Sequence, residues 1–141
     1  MKYLLDTCLI SEVIRPTPAA TVIAWLDARD EDSLYLSVLT LGELQKGISK
    51  LTDAGKKQRL QTWLENDLGP RFQGRVLAID EEIALTWGAI QGEAERQGNR
   101  QPVVDSLIAA TAMAHNLTLV TRNTSDFDRC SVRLFNPWPD S

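Results

Sequence analysis

Five short apolar runs limit what this chain can fold into: KYLL at 2–5, LYLS at 34–37, VLAI at 76–79, LTLVT at 117–121 and VRLF at 132–135. Each has the length of a buried strand, and the stretches between them carry the three- and four-residue spacing of helices. Strands separated by helices predict an α/β fold, a three-layer sandwich whose mainly parallel central sheet is flanked by helices.

Helices are expected over 8–14, with Asp6 or Thr7 as cap, and over 19–28, after the break at Pro16 and Pro18. Leu41, Leu44, Ile48 and Leu51 form one stripe over 38–51, and Leu60, Leu64 and Leu68 another over 56–68, where Gly69-Pro70 is expected to end the helix. Asp80 is a natural cap for 81–97, which Gly98 stops. Pro102 opens 103–115, whose Leu107, Ile108, Ala110, Thr111 and Ala114 suggest a small-residue face against the sheet. A short turn or helix is expected at 125–128.

A chain of 141 residues, 43% hydrophobic, needs only one core, so one domain over 1–141 is expected. No run approaches the roughly 20 apolar residues of a membrane span, and the acidic Asp6 interrupts any signal-peptide pattern, which points to the cytoplasm. The two cysteines, Cys8 and Cys130, have no zinc spacing and suit a reducing compartment. Fifteen basic against nineteen acidic residues give a net charge of −4, which disfavours coating nucleic acid by bulk charge. A nuclease escapes that objection if its carboxylates hold cations.

Four acids stand at informative places: Asp6 after the first strand, Glu43 within a helix, Asp105 in a helical first turn, and Asp126 past the fourth strand. Asp128, two residues on, competes with Asp126 for the fourth place. Singly, each has a plainer role as a cap, a solvated side chain or a first-turn charge. Converged on one cleft they repel, and a bound cation relieves that. Oxygen ligands favour Mg²⁺ or Mn²⁺, which activate water against a phosphodiester. The single histidine, His115, rules out a histidine-pair ribonuclease, and no G-x-S-x-G marks a serine hydrolase.

The segments YLLDTCLISE, LSVLTLGELQKGI, VVDSLIAATAMAHNLTLVTRNTSDF and the terminal FNPW, in that order, resemble the PIN-domain family, most closely its VapC-like and FitB-like toxin branch. The resemblance covers nearly the whole chain. It implies a metal-dependent endoribonuclease, the toxin of a VapBC-type pair, cutting transfer RNA or another structured RNA. Carried over by match, Asp6, Glu43 and Asp105 would bind the metal, with Asp126 as fourth acid and Thr7, Ser11, Thr121 and Asn123 in polar support. Arg100, Arg122, Lys46 and Lys50 are candidates for RNA phosphates, although a solvated helix face is the plainer reading of the lysines.

The same resemblance implies a homodimer and a cognate VapB-like antitoxin that enters a groove beside the acids, with further assembly on DNA through the antitoxin. Trp25, Trp63 and Trp87 are either part of such surfaces or core packing. Two alternatives compete: a PIN-like binding module without catalysis, which intact acids disfavour, and a nuclease for structured DNA, which would need DNA-gripping elements absent from so short a chain.

Overall fold

The computed structural model describes residues 1–127 and 130–139, and it gathers the five apolar runs into one sheet. The strands are β1 (Tyr3–Leu5), β2 (Leu34–Ser37), β3 (Val76–Leu77), β4 (Thr118–Val120) and β5 (Leu134–Phe135), in the order β3-β2-β1-β4-β5. Every pairing is parallel; Tyr3 stands between Leu34 and Thr118, and Leu5 beside Val120. The chain moves outward from β1 through β2 and β3, then returns to β4 on the other side. Strand order therefore reverses between β1 and β4, and the crevice beyond their carboxyl ends is where open α/β sheets hold ligands.

Helices α1 (Thr7–Val13), α2 (Ala20–Asp27), α3 (Val38–Ser49), α4 (Ala54–Trp63) and the single turn α5 (Gly69–Arg71) precede β3; α6 (Glu81–Arg96) and α7 (Val103–Ala114) follow it. Side chains alternate along each strand, so the sheet feeds two cores. Leu5, Leu34, Leu36 and Val120 meet Leu9, Ile10, Val22, Leu44, Ile48, Leu64, Leu68 and Phe72 on one face. Leu4 and Leu119 meet Ile108, Ala109, Ala112 and Phe127 on the other. Helix α6 covers the outside of α7, which is why Ala110 and Thr111 are as buried as the sheet-facing residues.

The helix ends have local causes. Ser37 caps α3 through Leu39 N at 3.0 Å, Asp53 caps α4 through Lys56 N at 3.0 Å, and Asp80 caps α6 through Ile83 N at 2.9 Å. Gly98 ends α6 at φ 72°, with its N–H on Glu95 O and Asn99 N on Ala94 O, the paired bonds of a left-handed cap. Asn116 does the same after α7 at φ 56°, with Leu117 N on Ala112 O.

Three expectations need correction. Gly69-Pro70 does not end the fourth helix: a π turn, Leu64–Leu68, follows Trp63, and Gly69–Arg71 continues helically. The widened turn brings Leu64, Leu68 and Phe72 into one core. The third strand is Val76–Leu77 rather than 76–79, because it lies at the sheet edge and Asp80 already belongs to the cap of α6. On α7 the sheet-facing residues are Ile108, Ala109 and Ala112, while Leu107 and Ala114 are only half-buried.

Candidate active site

Asp6 and Thr121 are the first residues beyond β1 and β4, so the strand reversal sets them face to face. Asp6 has extended backbone and caps α1, its Oδ1 accepting from Thr7 N at 2.8 Å. Its Oδ2 accepts the Thr121 hydroxyl at 2.7 Å, and Thr121 Oγ1 in turn accepts from Asn123 N at 3.1 Å. The Cys8 thiol points at the same Oδ2, 3.7 Å away. Burial, and then the Asp6 charge, push that thiol above its ordinary range, so it stays a neutral donor.

Glu43 arrives from α3, whose start at the end of β2 is fixed by the Ser37 cap. Thr40 and Glu43 are three residues apart and share a helix face. Thr7 Oγ1 donates to Glu43 Oε1 at 2.6 Å and touches Thr40 Oγ1 at 3.3 Å. Thr7 thus links two acids at once: its N–H holds Asp6 and its hydroxyl holds Glu43.

Asp105 stands half-buried in the first turn of α7. A helix N-terminus normally favours the charged carboxylate. Here burial pushes the carboxyl above its ordinary value, and the charges of Asp6, Glu43 and Asp126 push it further in the same direction. The four acids named from the sequence therefore share one electrostatic neighbourhood, although they come from four separate elements. Asp126 is exposed in a 3₁₀ turn, Thr124–Phe127, with its N–H on Asn123 O at 3.0 Å. With Asp105 it lines a cleft of ≈ 300 Å³ that also includes Asn99, Arg100, Gln101, Pro102 and Ser125. Asp128, the competitor for the fourth place, lies outside the described residues.

The loop carrying Arg100 is anchored from below. Buried Gln91 on α6 donates to Gln101 O at 2.6 Å and accepts from Gln101 N at 3.1 Å, pairing with the backbone as a neighbouring strand would. Ser106 Oγ accepts from Gln91 Nε2 at 3.3 Å and from Trp87 Nε1 at 3.0 Å. Sequence reading missed Gln91, Thr40 and Cys8. Of these only Thr40 had a signal, its three-residue spacing from Glu43.

Ser11 is exposed and lines a neighbouring groove with Thr7, Glu43 and Lys56. Lys46 and Lys50 are exposed on α3 and do not line that groove. Arg122 is exposed beside Asp6's partner Thr121, with its guanidinium over the Trp138 ring. Trp25, Trp63 and Trp87 are half-buried packing residues: Trp25 lies edge-on to Tyr3 and stacked on Phe135, and Trp63 borders the core.

Among the described residues, no three His, Cys, Asp or Glu side chains are already drawn together tightly enough to hold a metal ion. Asp6 and Glu43 are each held by a threonine hydroxyl, Thr121 on Asp6 and Thr7 on Glu43, and the charges of both raise Asp105. The donor set still fits a hard divalent cation, being all oxygen and partly buried, with none of the four acids in a salt bridge to a described residue.

An all-parallel sheet with acids gathered where its strand order reverses is the architecture of a PIN domain. Residues 3–132 match the PIN-domain family, and the chain belongs to it. Among its relatives, toxin FitB of Neisseria gonorrhoeae is 42% identical over 97% of this chain and 99% of its own length. The crystal structure of FitAcB from that species superposes with a TM-score of 0.91 at 42% identity, covering 96% of this chain and 98% of the other. VapC ribonuclease Y4jK of Sinorhizobium fredii is 35% identical over 95% of this chain and 96% of its own. VapBC2 of Rickettsia felis, solved bound to a DNA fragment from their promoter, aligns at 27% identity and a TM-score of 0.78, over 99% of this chain and 100% of the other. The chain thus stands with the FitB- and VapC-like members of the family.

Proposed function

We propose that this protein is a divalent-metal-dependent endoribonuclease, the toxin half of a toxin-antitoxin pair. The observation that carries the reading is the convergence of four acids from separate elements on one neighbourhood, where burial and then the charges of Asp6, Glu43 and Asp126 push the Asp105 carboxyl up. Such repulsion is retained at a cost to stability, and it makes sense where a cation joins the acids. Asp6, Glu43 and Asp105 would hold Mg²⁺ or Mn²⁺, with Asp126 completing the set. The ion supplies an acidified water and stabilises charge developing on the phosphodiester.

The chain's own residues do the rest. Thr7 and Thr121 fix the rotamers of Glu43 and Asp6 by short hydrogen bonds, so those carboxylates are oriented before substrate arrives. Arg100, on a loop clamped by Gln91, offers a positive charge across the Asp105–Asp126 cleft for a phosphate. A chain this acidic overall recognises RNA by shape and by a few such contacts, with transfer RNA as the first class to try.

The named relatives, FitB as a toxin and VapBC2 as a complex on promoter DNA, support an antitoxin as partner and assembly on DNA through it, and the resemblance of the sequence to that branch adds a toxin homodimer. The test is cleavage of total bacterial RNA by purified, antitoxin-free protein in Mg²⁺, in Mn²⁺ and in chelator. Discrete products in metal alone are expected. Folded protein that leaves the RNA intact under both metals would overturn the reading.

A further inference from the structure

Glu12 is a buried carboxylate that the acidic cluster does not use. It sits on α1, 6% exposed, with both oxygens engaged: Oε1 accepts from Trp138 Nε1 at 2.9 Å, and Oε2 from Ala19 N at 3.1 Å. Arg15 adds an exposed ion pair at 3.5 Å. Through Glu12 the end of the described chain is fastened back onto the helix that Asp6 caps. Trp138 is itself only 7% exposed, and Asn136 Oδ1 accepts its backbone N–H at 2.8 Å.

Fastening a tail does not require a charge, since apolar contacts would serve without burying a carboxylate. What a hydrogen-bonded indole adds is a fixed ring orientation. The Trp138 ring lies beneath the Arg122 guanidinium, 5.8 Å from its centroid; Arg122 forms no salt bridge with a described residue, although the Glu12 charge reaches it directly as well as through the ring. Its neighbour Thr121 donates to Asp6 Oδ2. A cation held on an aromatic face has lost much of its rotamer freedom before any ligand arrives.

We propose that Glu12 and Trp138 are positioning residues for Arg122, which receives a backbone phosphate of the RNA strand on the Asp6 side of the cleft. The inference rests on the ribonuclease reading for its ligand. Arg122 and Arg100 would then grip the strand from opposite sides of the acids, which supply no attraction of their own.

Binding of a short fluorescein-labelled single-stranded RNA of mixed sequence is followed by anisotropy in chelator, where no cutting competes, and cleavage of bulk bacterial transfer RNA is followed in Mg²⁺. Arg122→Ala should weaken binding about tenfold and reduce the slope of log K against log salt by about 0.7, the value of one lost phosphate contact on a single strand. KM should rise with kcat unchanged. Trp138→Phe keeps the ring without its N–H and should give a smaller loss in the same direction.

Glu12→Gln keeps one of the two acceptors but sets its amide NH2 against the other N–H, so it should fall between wild type and Glu12→Ala, which should resemble Arg122→Ala. In the Arg122→Ala background, Glu12→Ala should cost nothing more, because it acts through Arg122. An unchanged affinity and salt slope in Arg122→Ala would overturn the proposal, as would additive losses in the double variant or wild-type protein with no measurable RNA binding. Protein that binds RNA in this pattern but never cuts it would instead remove the nuclease reading and leave the Arg122 contact standing.

Discussion

Asp105 carries the clearest single-residue signature. Its carboxyl is pushed up although it lies at a helix N-terminus, so burial and three like charges outweigh the helix field. An acid whose folded value is raised binds more protons folded than unfolded between its ordinary 3.8 and that raised value. Its contribution therefore falls as pH rises through that window. Asp105→Asn should melt at or above the wild-type temperature at pH 7, with a smaller difference at pH 4, while RNA cleavage drops by about 10²-fold or more. A variant that melts lower at pH 7 would show that Asp105 is stabilised rather than strained. Glu12 has the opposite sign: the Trp138 hydrogen bond, above all, holds it low, so its contribution is present above 4.5 and lost as pH falls through the lowered value. Asp6 and Asp105 stood out because a strand end and a helix first turn are positions that sequence patterns reveal, whereas Glu43, in mid-helix, and Asp126 stood out chiefly through the motifs of the resemblance. The double use of Thr7 was not, because nothing local pairs residue 7 with residue 43. Thr121→Val should remove the shortest hydrogen bond on Asp6 and cost about 10–100-fold in activity or metal affinity, the usual range for a residue that orients a ligand, with kinetics in Mn²⁺ as the check.

At the level of elements, the π turn at Leu64–Leu68 is where sequence reading failed most plainly, since Gly-Pro looks like a stop. Gly69 instead has helical backbone and donates its N–H to Leu64 O across the widened turn. A Cβ there would meet that same carbonyl at 3.2 Å. Alanine ordinarily gains about 1 kcal/mol over glycine in a helix. Here the carbonyl is pinned by the very N–H of residue 69 and cannot retreat, so Gly69→Ala should destabilise by about 1 kcal/mol in urea unfolding. A stabilised variant would mean that the turn relaxes to a regular helix. The Gln91 clamp was invisible for a different reason, since a glutamine on an amphipathic helix reads as solvated until the facing loop is known. Gln91→Leu removes the two bonds that Gln91 makes to the Gln101 backbone and should cost about 1–3 kcal/mol, with hydrogen exchange at Gln101 faster than in wild type. Unchanged exchange there would show that the loop carrying Arg100 is held by other contacts. Caps, by contrast, were readable: Asp6 and Asp80 act where their chemistry predicts.

For the molecule as a whole, alternation of apolar runs with helices sufficed to anticipate a parallel three-layer fold, because a parallel pair requires a crossover between its strands. Strand order was not legible, since registers such as Leu5 with Val120 join residues far apart in sequence. That order decides function here, because only the reversal between β1 and β4 brings Asp6 to Thr121 and opens the crevice that Glu43, Asp105 and Asp126 enter. No helix among the described residues is long and apolar enough to cross a membrane. The central claim is that the acids act as one unit. Its most direct measurement is single-turnover cleavage of a mapped RNA substrate in Mg²⁺ by wild type, Asp6→Asn, Asp105→Asn and the double variant. Groups that act together are grossly non-additive, so each single variant should be about as inactive as the double. Independent losses that multiply in the double variant, or a single variant cutting at the wild-type rate, would contradict the account.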